Sequence, residues 1–241
     1  MATPTDSDVP ARIEAIGEAT ARLQNAIDKA RERSGATAFA APSRLPDWTV
    51  GHVATHLARN ADGLRRVLLA AQEGRQVTPY DSPAARAHDI DTGAARGTDA
   101  IAGDLLAAQH RLADTLASLP EPVWSSTVDL GRGGPTTADV VLSARLAEVE
   151  LHHHDLGFDD GLALLDDAQA HRLLLALLRT YVRTRDVRGM TLHPENADPI
   201  TIGDGGADIH GRAVDIVGWL AGRTDGSALT SDQPLPELPN W

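Results

Sequence analysis

The stretch RLAEVELHHHD at residues 145–155 decides how this chain folds, because it places polar side chains where a bundle helix normally carries apolar ones. Arg145, Glu148, His152 and Asp155 recur at steps of three, four and three, which puts them along one side of a helix. An apolar stripe runs beside this polar row, so the row borders the interior of a helical bundle. Unpaired polar groups are costly to bury, so the row predicts mutual pairing or a bound metal ion.

Three more helices are predicted on the N-terminal side of this stretch, at residues 9–33, about 50–72 and 101–119, each with apolar residues three or four apart. A short helix is expected at residues 82–88, and GRGGP at 131–135 predicts a turn. The helix with the polar row is predicted to begin at a cap on Thr136 or Thr137 and to reach about Phe158. Proline and glycine separate the helices, which predicts a four-helix bundle over residues 1–160.

The pattern changes after residue 161. A helix is predicted at residues 166–185, followed by short alternating segments at 190–193, 200–202 and 207–210 that are typical of strands, and by a last helix at 213–220. We therefore expect a smaller α/β domain over residues 165–241. The whole chain is predicted to be an α+β protein.

Composition restricts the chemistry. The 241 residues include 22 basic and 34 acidic side chains, a net charge of −12, which argues against nucleic acid as a partner. Neither a membrane span nor a signal peptide is recognisable, so we expect a cytoplasmic protein. The sequence has no cysteine, so any thiol chemistry must use an external thiol. Lys29 is the only lysine, which leaves histidine and carboxylate chemistry.

A metal site is predicted from two pairs of residues with one-turn spacing. His52 and His56 form one pair, with Asn60 continuing their stripe, and Glu148 and His152 form the other. Catalytic zinc typically takes three protein ligands and keeps one open position. The favoured set is His52, Glu148 and His152. Three further residues are candidates for orienting these ligands or a substrate: His56, His153 and Asp155.

Other readings remain open at this level. Glu150 has the same spacing to His154 as Glu148 has to His152, and spacing alone does not separate the two carboxylates. The histidines are also compatible with a structural bundle that binds no metal. Arg223 follows Gly222 at the end of a predicted helix, where it either compensates the helix dipole or recognises a dicarboxylate or keto acid. Further candidates for carboxylate recognition are Arg44, Arg59, Arg86, Arg132 and Arg145.

A family resemblance adds to these residues. The motifs are WTVGHVATHLARN at residues 48–60, TPY at 78–80, SPAAR at 82–86, the row from Arg145 to Gly157, and GWLAGR at 218–223. Together they resemble the mycothiol-dependent maleylpyruvate isomerase family over nearly the whole chain. Mycothiol is a low-molecular-weight thiol, and a cysteine-free enzyme suits such a cofactor.

The resemblance implies a fold and a ligand set. It implies a DinB-like four-helix bundle that binds a divalent metal, normally zinc, followed by a smaller α/β domain. The implied metal ligands, which are also catalytic, are His52, Glu148 and His152, so the analogy favours Glu148 over Glu150. Arg223 is implied as a catalytic arginine. The expected partners are mycothiol and a small dicarboxylate or keto-acid substrate, and the chain is expected to be a monomer or a weak homo-oligomer.

The reaction implied by the resemblance is a cis-trans isomerisation. Zinc lowers the pKa of the mycothiol thiol, the thiolate adds to the double bond of maleylpyruvate, the bond rotates, and elimination yields fumarylpyruvate, as in gentisate-type aromatic degradation. Arg223 and Arg86 would hold carboxylates. The expected cofactor-binding residues are Asn60, Tyr80, Arg86 and Asp155. The alternatives are a mycothiol S-transferase that acts on another electrophile and a metal-binding bundle without enzymatic activity.

Overall fold

A computed structural model describes residues 8–184 and 188–238. The chain divides into two compact units, Met1–Gly161 and Leu162–Trp241. The helices described in the first unit are α1 (Val9–Ser34), α2 (Val50–Gln72), α3 (Pro83–Ala94), α4 (Thr98–Ser118) and α5 (Val140–Leu156). α2 packs against α4 and α5, and α1 packs against the same two helices, while α3 lies against α2. These contacts form a bundle of four long helices, as predicted.

The ends of these helices follow from local sequence. Thr49 caps α2 by accepting a hydrogen bond from the His52 backbone N–H. Ser82 caps α3 in the same way, and Pro83 occupies the first turn, where a proline costs no hydrogen bond. The apolar faces meet in a dry core whose fully buried side chains include Leu23, Ile27, Leu57, Leu68, Leu105 and Leu151.

One prediction about the first unit is wrong. Thr136 and Thr137 do not cap a helix, because they belong to a strand, β2 (Pro135–Thr137), that pairs antiparallel with β1 (Thr127–Asp129). The GRGGP turn joins the two strands, and β-branched residues on both sides favour this hairpin. α5 consequently begins only at Val140. α3 is also longer than predicted, since it continues to Ala94.

The second unit contains the predicted strands. Its described elements are α6 (Asp167–Thr184), β3 (Met190–Pro194), β4 (Ile200–Ile202), β5 (Ala207–Gly211), α7 (Ala213–Leu220) and β6 (Thr230–Ser231). The sheet order is β4-β3-β5-β6, with β3 and β5 parallel and the other pairs antiparallel. α6 packs against α7. The predicted helix end at Arg185 lies outside the described residues.

These elements confirm the predicted fold class, a helical N-terminal part followed by a smaller part that contains strands. Within the described ranges, no helix combines the length and the apolar character needed to cross a membrane.

Two glycines test the helix geometry in opposite directions. Gly157 ends α5 with φ 71°, a left-handed conformation, and its substitution by alanine is expected to lower the free energy of unfolding by about 1–2 kcal/mol. Gly103 lies exposed inside α4 with open space around it, so Gly103→Ala should raise the same free energy by about 0.5–1 kcal/mol. Urea unfolding followed by circular dichroism measures both. Effects of the same sign would contradict the backbone argument.

Candidate metal centre

His56, Glu148 and His152 come together between α2 and α5, with one possible ligand atom from each lying within 4.8 Å of the others. The Nε2 atom of His56 lies 2.8 Å from Oε2 of Glu148, and Nε2 of His152 lies 3.3 Å from the same oxygen. Both imidazoles are buried, whereas the Glu148 side chain is 28% exposed. Two nitrogen donors and one oxygen donor thus converge on one point that solvent can approach.

Asp155 orients one of the two histidines. Its Oδ2 atom lies 2.8 Å from Nδ1 of His152, and the residue is only 1% exposed. A carboxylate accepts hydrogen bonds, so Nδ1 of His152 donates to Asp155, and Nε2, on the side of Glu148, is the nitrogen that could bind a metal ion once it carries no proton. A carboxylate behind a histidine is the usual arrangement around metal-binding imidazoles. The geometry agrees with the orienting role predicted for Asp155.

The electrostatics of this group favour a bound cation. Burial alone would raise the pKa of Glu148, but His56 and His152 beside it hold that pKa well below its usual value. Burial lowers the pKa of His56 despite the nearby carboxylate, which favours a neutral imidazole. For His152, burial is outweighed by hydrogen bonds to Asp155 and Glu148, which raise the pKa. The ionised Glu148 and the neutral His56 are in the state that a metal ion requires, whereas His152 has to lose a proton when a metal ion binds.

His52 does not belong to this group. It lies one turn before His56, and its Nδ1 atom accepts the Thr49 backbone N–H at 3.1 Å and lies 2.7 Å from the Thr49 hydroxyl. These contacts complete the capping box at the start of α2. The histidine that α2 brings to Glu148 and His152 is therefore His56 and not the predicted His52. Which residues bind a metal ion stays a prediction.

The competing pair on α5, Glu150 and His154, is not brought together either. Glu150 is 3% exposed and binds Arg22 of α1 at 2.5 Å, so it faces the opposite side of the helix. His154 contacts the Arg44 guanidinium at 2.8 Å. His153, which was expected to orient ligands or substrate, contacts Asp159 at 3.2 Å. Successive residues of an α-helix point about 100° apart, which separates these side chains from Glu148 and His152.

Arg86 and Trp48 contact the imidazole of His56, and Tyr80 lies beside Arg86. Arg86 places Nη2 3.1 Å from Nδ1 of His56, and its Cζ lies 5.6 Å from the centre of the Tyr80 ring. Trp48 packs edge-on against His56 with 5.7 Å between ring centres. Tyr80 and Arg86 were predicted as cofactor-binding residues, and the structure places both near the group. Trp48 had not been assigned a role, although its position eight residues before His56 in the WTVGHVATH motif was a usable signal.

Asn60 and Arg145 form a second polar contact between the same two helices. Nη1 of Arg145 donates to Oδ1 of Asn60 at 2.8 Å and to the Leu57 carbonyl at 3.1 Å. Burial lowers the pKa of Arg145 to about 10, so the side chain remains a cation at neutral pH. The Asn60 side chain, predicted as a cofactor contact, therefore has an internal partner.

Arg223 belongs to the second unit, just after α7. Its Nη1 donates to the Ala221 carbonyl at 2.6 Å, and its backbone N–H donates to the Gly218 carbonyl at 2.7 Å. Both contacts fit the compensation of a helix C-terminus. Its role toward a substrate stays a prediction.

Two aspartates at the end of α5 allow a matched test of metal binding. Asp155 contacts His152, which belongs to the group, whereas Asp159 contacts His153, which does not. Asp155→Ala is expected to raise the zinc dissociation constant about 10–100-fold, the usual loss when a ligand's outer partner is removed. Asp159→Ala should change it by less than about twofold by the same argument. Competition with a chromophoric chelator measures both constants, and equal losses would contradict the orienting role.

Comparisons with known proteins agree with this site. Residues 16–157 match the family model described as the mycothiol maleylpyruvate isomerase N-terminal domain. Two crystal structures of a mycothiol-dependent maleylpyruvate isomerase, one of them of a histidine-to-alanine variant, each match with a TM-score of 0.82 over the full length of both chains. Their sequences are 24% and 25% identical to this one. No curated protein matches by sequence.

The matched segment contains His56, Glu148 and His152, so the family model covers the whole candidate metal centre. These findings confirm the resemblance drawn from the sequence motifs. The chain belongs to the mycothiol maleylpyruvate isomerase N-terminal domain family.

Proposed function

We propose that this protein is a mycothiol-dependent cis-trans isomerase that converts maleylpyruvate into fumarylpyruvate. The observation that carries the proposal is the convergence of His56, Glu148 and His152 in a chain whose full length matches a mycothiol-dependent maleylpyruvate isomerase. The proposal includes a cytoplasmic location, where low-molecular-weight thiols are kept reduced.

The group His56, Glu148 and His152 is proposed to hold a zinc ion. Two imidazole nitrogens and one carboxylate oxygen form a known catalytic zinc set, which leaves a coordination position for another ligand. Asp155 holds His152 in the tautomer that presents Nε2 to such an ion. When bound, the ion would lower the pKa of a coordinated thiol so that the thiolate exists at neutral pH.

The chain's own residues provide the remaining functions. No cysteine is present, so the protein supplies no thiol of its own and depends on an external one. Arg86 carries a guanidinium at the edge of the group, with Tyr80 beside it, and both can donate to substrate oxygens. Fixed donors of this kind stabilise negative charge that develops on a substrate oxygen during the reaction. Arg223 is proposed to bind a substrate carboxylate.

An absorbance assay with maleylpyruvate tests this function. Zinc-loaded protein should convert maleylpyruvate into fumarylpyruvate only when mycothiol is also present, and protein treated with a chelator should lose that activity. Absence of turnover with both compounds would overturn the proposal. If the same preparation then joined mycothiol to another electrophile, the activity would be that of a mycothiol S-transferase.

A further inference from the structure

Two buried arginines, one on α1 and one on α5 itself, differ in how their guanidinium groups are satisfied. Arg12 of α1 donates to the Asp139 carboxylate at 3.0 Å, to the Asp139 carbonyl at 2.7 Å and to the Ser143 hydroxyl at 2.7 Å. Arg145 uses only Nη1, toward Asn60 and Leu57. In the described part of the chain, Nη2 of Arg145 is buried and has no hydrogen-bond partner.

Arg145 is therefore a buried cation without a direct ion-pair partner in the described part of the chain. The residue is 1% exposed, and the ion pairs recorded within the described ranges include none that involves it. A charge buried without a partner is unfavourable for folding, and an apolar side chain of similar volume often improves stability at such positions. The contacts of Nη1 with Asn60 and Leu57 explain one end of the guanidinium, whereas Nη2 has no partner in the described residues and would be satisfied by an anion.

Arg145 lies close to the candidate metal centre. It precedes Glu148 by three residues on α5, about 4.5 Å along the helix axis, and both face α2. Asn60 follows His56 by four residues on α2, so two contacts of 2.8 Å, from His56 to Glu148 and from Asn60 to Arg145, join the helices one turn apart.

Arg145 lies among ionisable groups and is shielded from water. Glu148, Tyr80 and Asp62 act on its charge electrostatically. Of these three, only Tyr80 lies outside α2 and α5, in the segment that joins α2 to α3. An anion held there would be shielded from water, which strengthens a charge-assisted hydrogen bond.

We propose that Arg145 is an anion-binding residue whose Nη2 donates to a carboxylate of the substrate bound at the His56, Glu148 and His152 group. The inference rests on the proposed function. It means that a residue of the helical first unit, Arg145, binds one of the two carboxylates of a short dicarboxylate substrate. One end of the substrate lies at the His56, Glu148 and His152 group. Its carboxylate at the other end lies at Arg145, one helical turn away. This placement selects for a dianionic substrate.

The test compares Arg145→Met with Arg12→Met in zinc-loaded protein, with succinate as the probe and neutral succinamide as its uncharged analogue. By calorimetry, Arg145→Met should weaken succinate binding about 10-fold or more, as expected when a hydrogen bond to a charged group is lost. Succinamide binding should not change. Arg145→Met should keep its zinc, and any fall in its thermal unfolding midpoint reports the lost hydrogen bonds to Asn60 and Leu57 separately from the lost affinity.

Arg12→Met should behave in the opposite way, since it leaves Asp139 without its cation. Its unfolding midpoint should fall while succinate affinity stays the same. Arg145→Lys, which keeps the charge and loses the planar fork, should bind succinate more tightly than Arg145→Met.

Three results would overturn the inference: wild-type protein that does not bind succinate, Arg145→Met protein that binds succinate as wild type does, or loss of stability in that variant without loss of affinity. None of these three results depends on a measurement of isomerase activity, so they can refute the inference without testing the proposed function. An active isomerase whose KM for maleylpyruvate is unchanged in Arg145→Met would also refute the role of Arg145 and leave the proposed function standing.

Discussion

His56→Ala protein is expected to retain less than about a tenth of a zinc ion per chain, whereas His52→Ala protein should retain about one, as wild type should. His56 presents Nε2 to Glu148 at 2.8 Å, so its removal deletes one of three donors. His52 is engaged with Thr49 at the start of α2. Isomerase activity should fall more than about 100-fold in His56→Ala, beyond the losses typical of residues outside the ligand shell.

The control variant has its own expected defect. Deleting the His52 side chain opens the capping box of α2, which should lower the free energy of unfolding by about 1 kcal/mol. Elemental analysis of dialysed protein measures zinc, and urea unfolding of metal-free protein measures stability. Loss of zinc in His52→Ala together with its retention in His56→Ala would return the ligand role to His52.

Glu148→Gln protein should lose zinc and isomerase activity to a similar extent, more than about 100-fold, because a neutral amide replaces the ionised ligand. The substitution preserves the size of the side chain, so the effect reports charge and donor strength. The two histidines already stabilise the ionised form of Glu148, as its lowered pKa indicates. Circular dichroism of the metal-free variant should still show a folded helical protein.

Glu150→Gln is the matched control on the same helix. Glu150 pairs with Arg22 and lies away from the metal centre, so zinc content and activity should not change. Stability should fall by about 1–3 kcal/mol, because a mostly buried carboxylate that pairs with arginine is neutralised. Zinc loss in Glu150→Gln with retention in Glu148→Gln would instead assign the metal to the other pair of residues.

Helical periodicity predicted much of the first unit. The apolar spacing in α1, α2 and α4 located these helices to within a few residues, because each must bury one face against its neighbours. The β1–β2 hairpin was missed, since three-residue strands carry too little alternation to be recognised. Thr136, which is a good cap residue in isolation, pairs with Val128 instead.

The sequence by itself determined that one face of α5 and one face of α2 carry histidine and carboxylate side chains suited to a metal ion, because positions three and four apart must share a side of a helix. It did not determine which positions along the axis of α2 lie opposite Glu148 and His152 of α5. His52 and His56 have nearly the same angular position and differ by one turn along α2, so only the packing of α2 against α5 decided which imidazole reaches Glu148. Packing against α1 likewise bound Glu150 to Arg22 and left Glu148 for the site, since partners distant in the chain are set by tertiary contacts and not by local spacing.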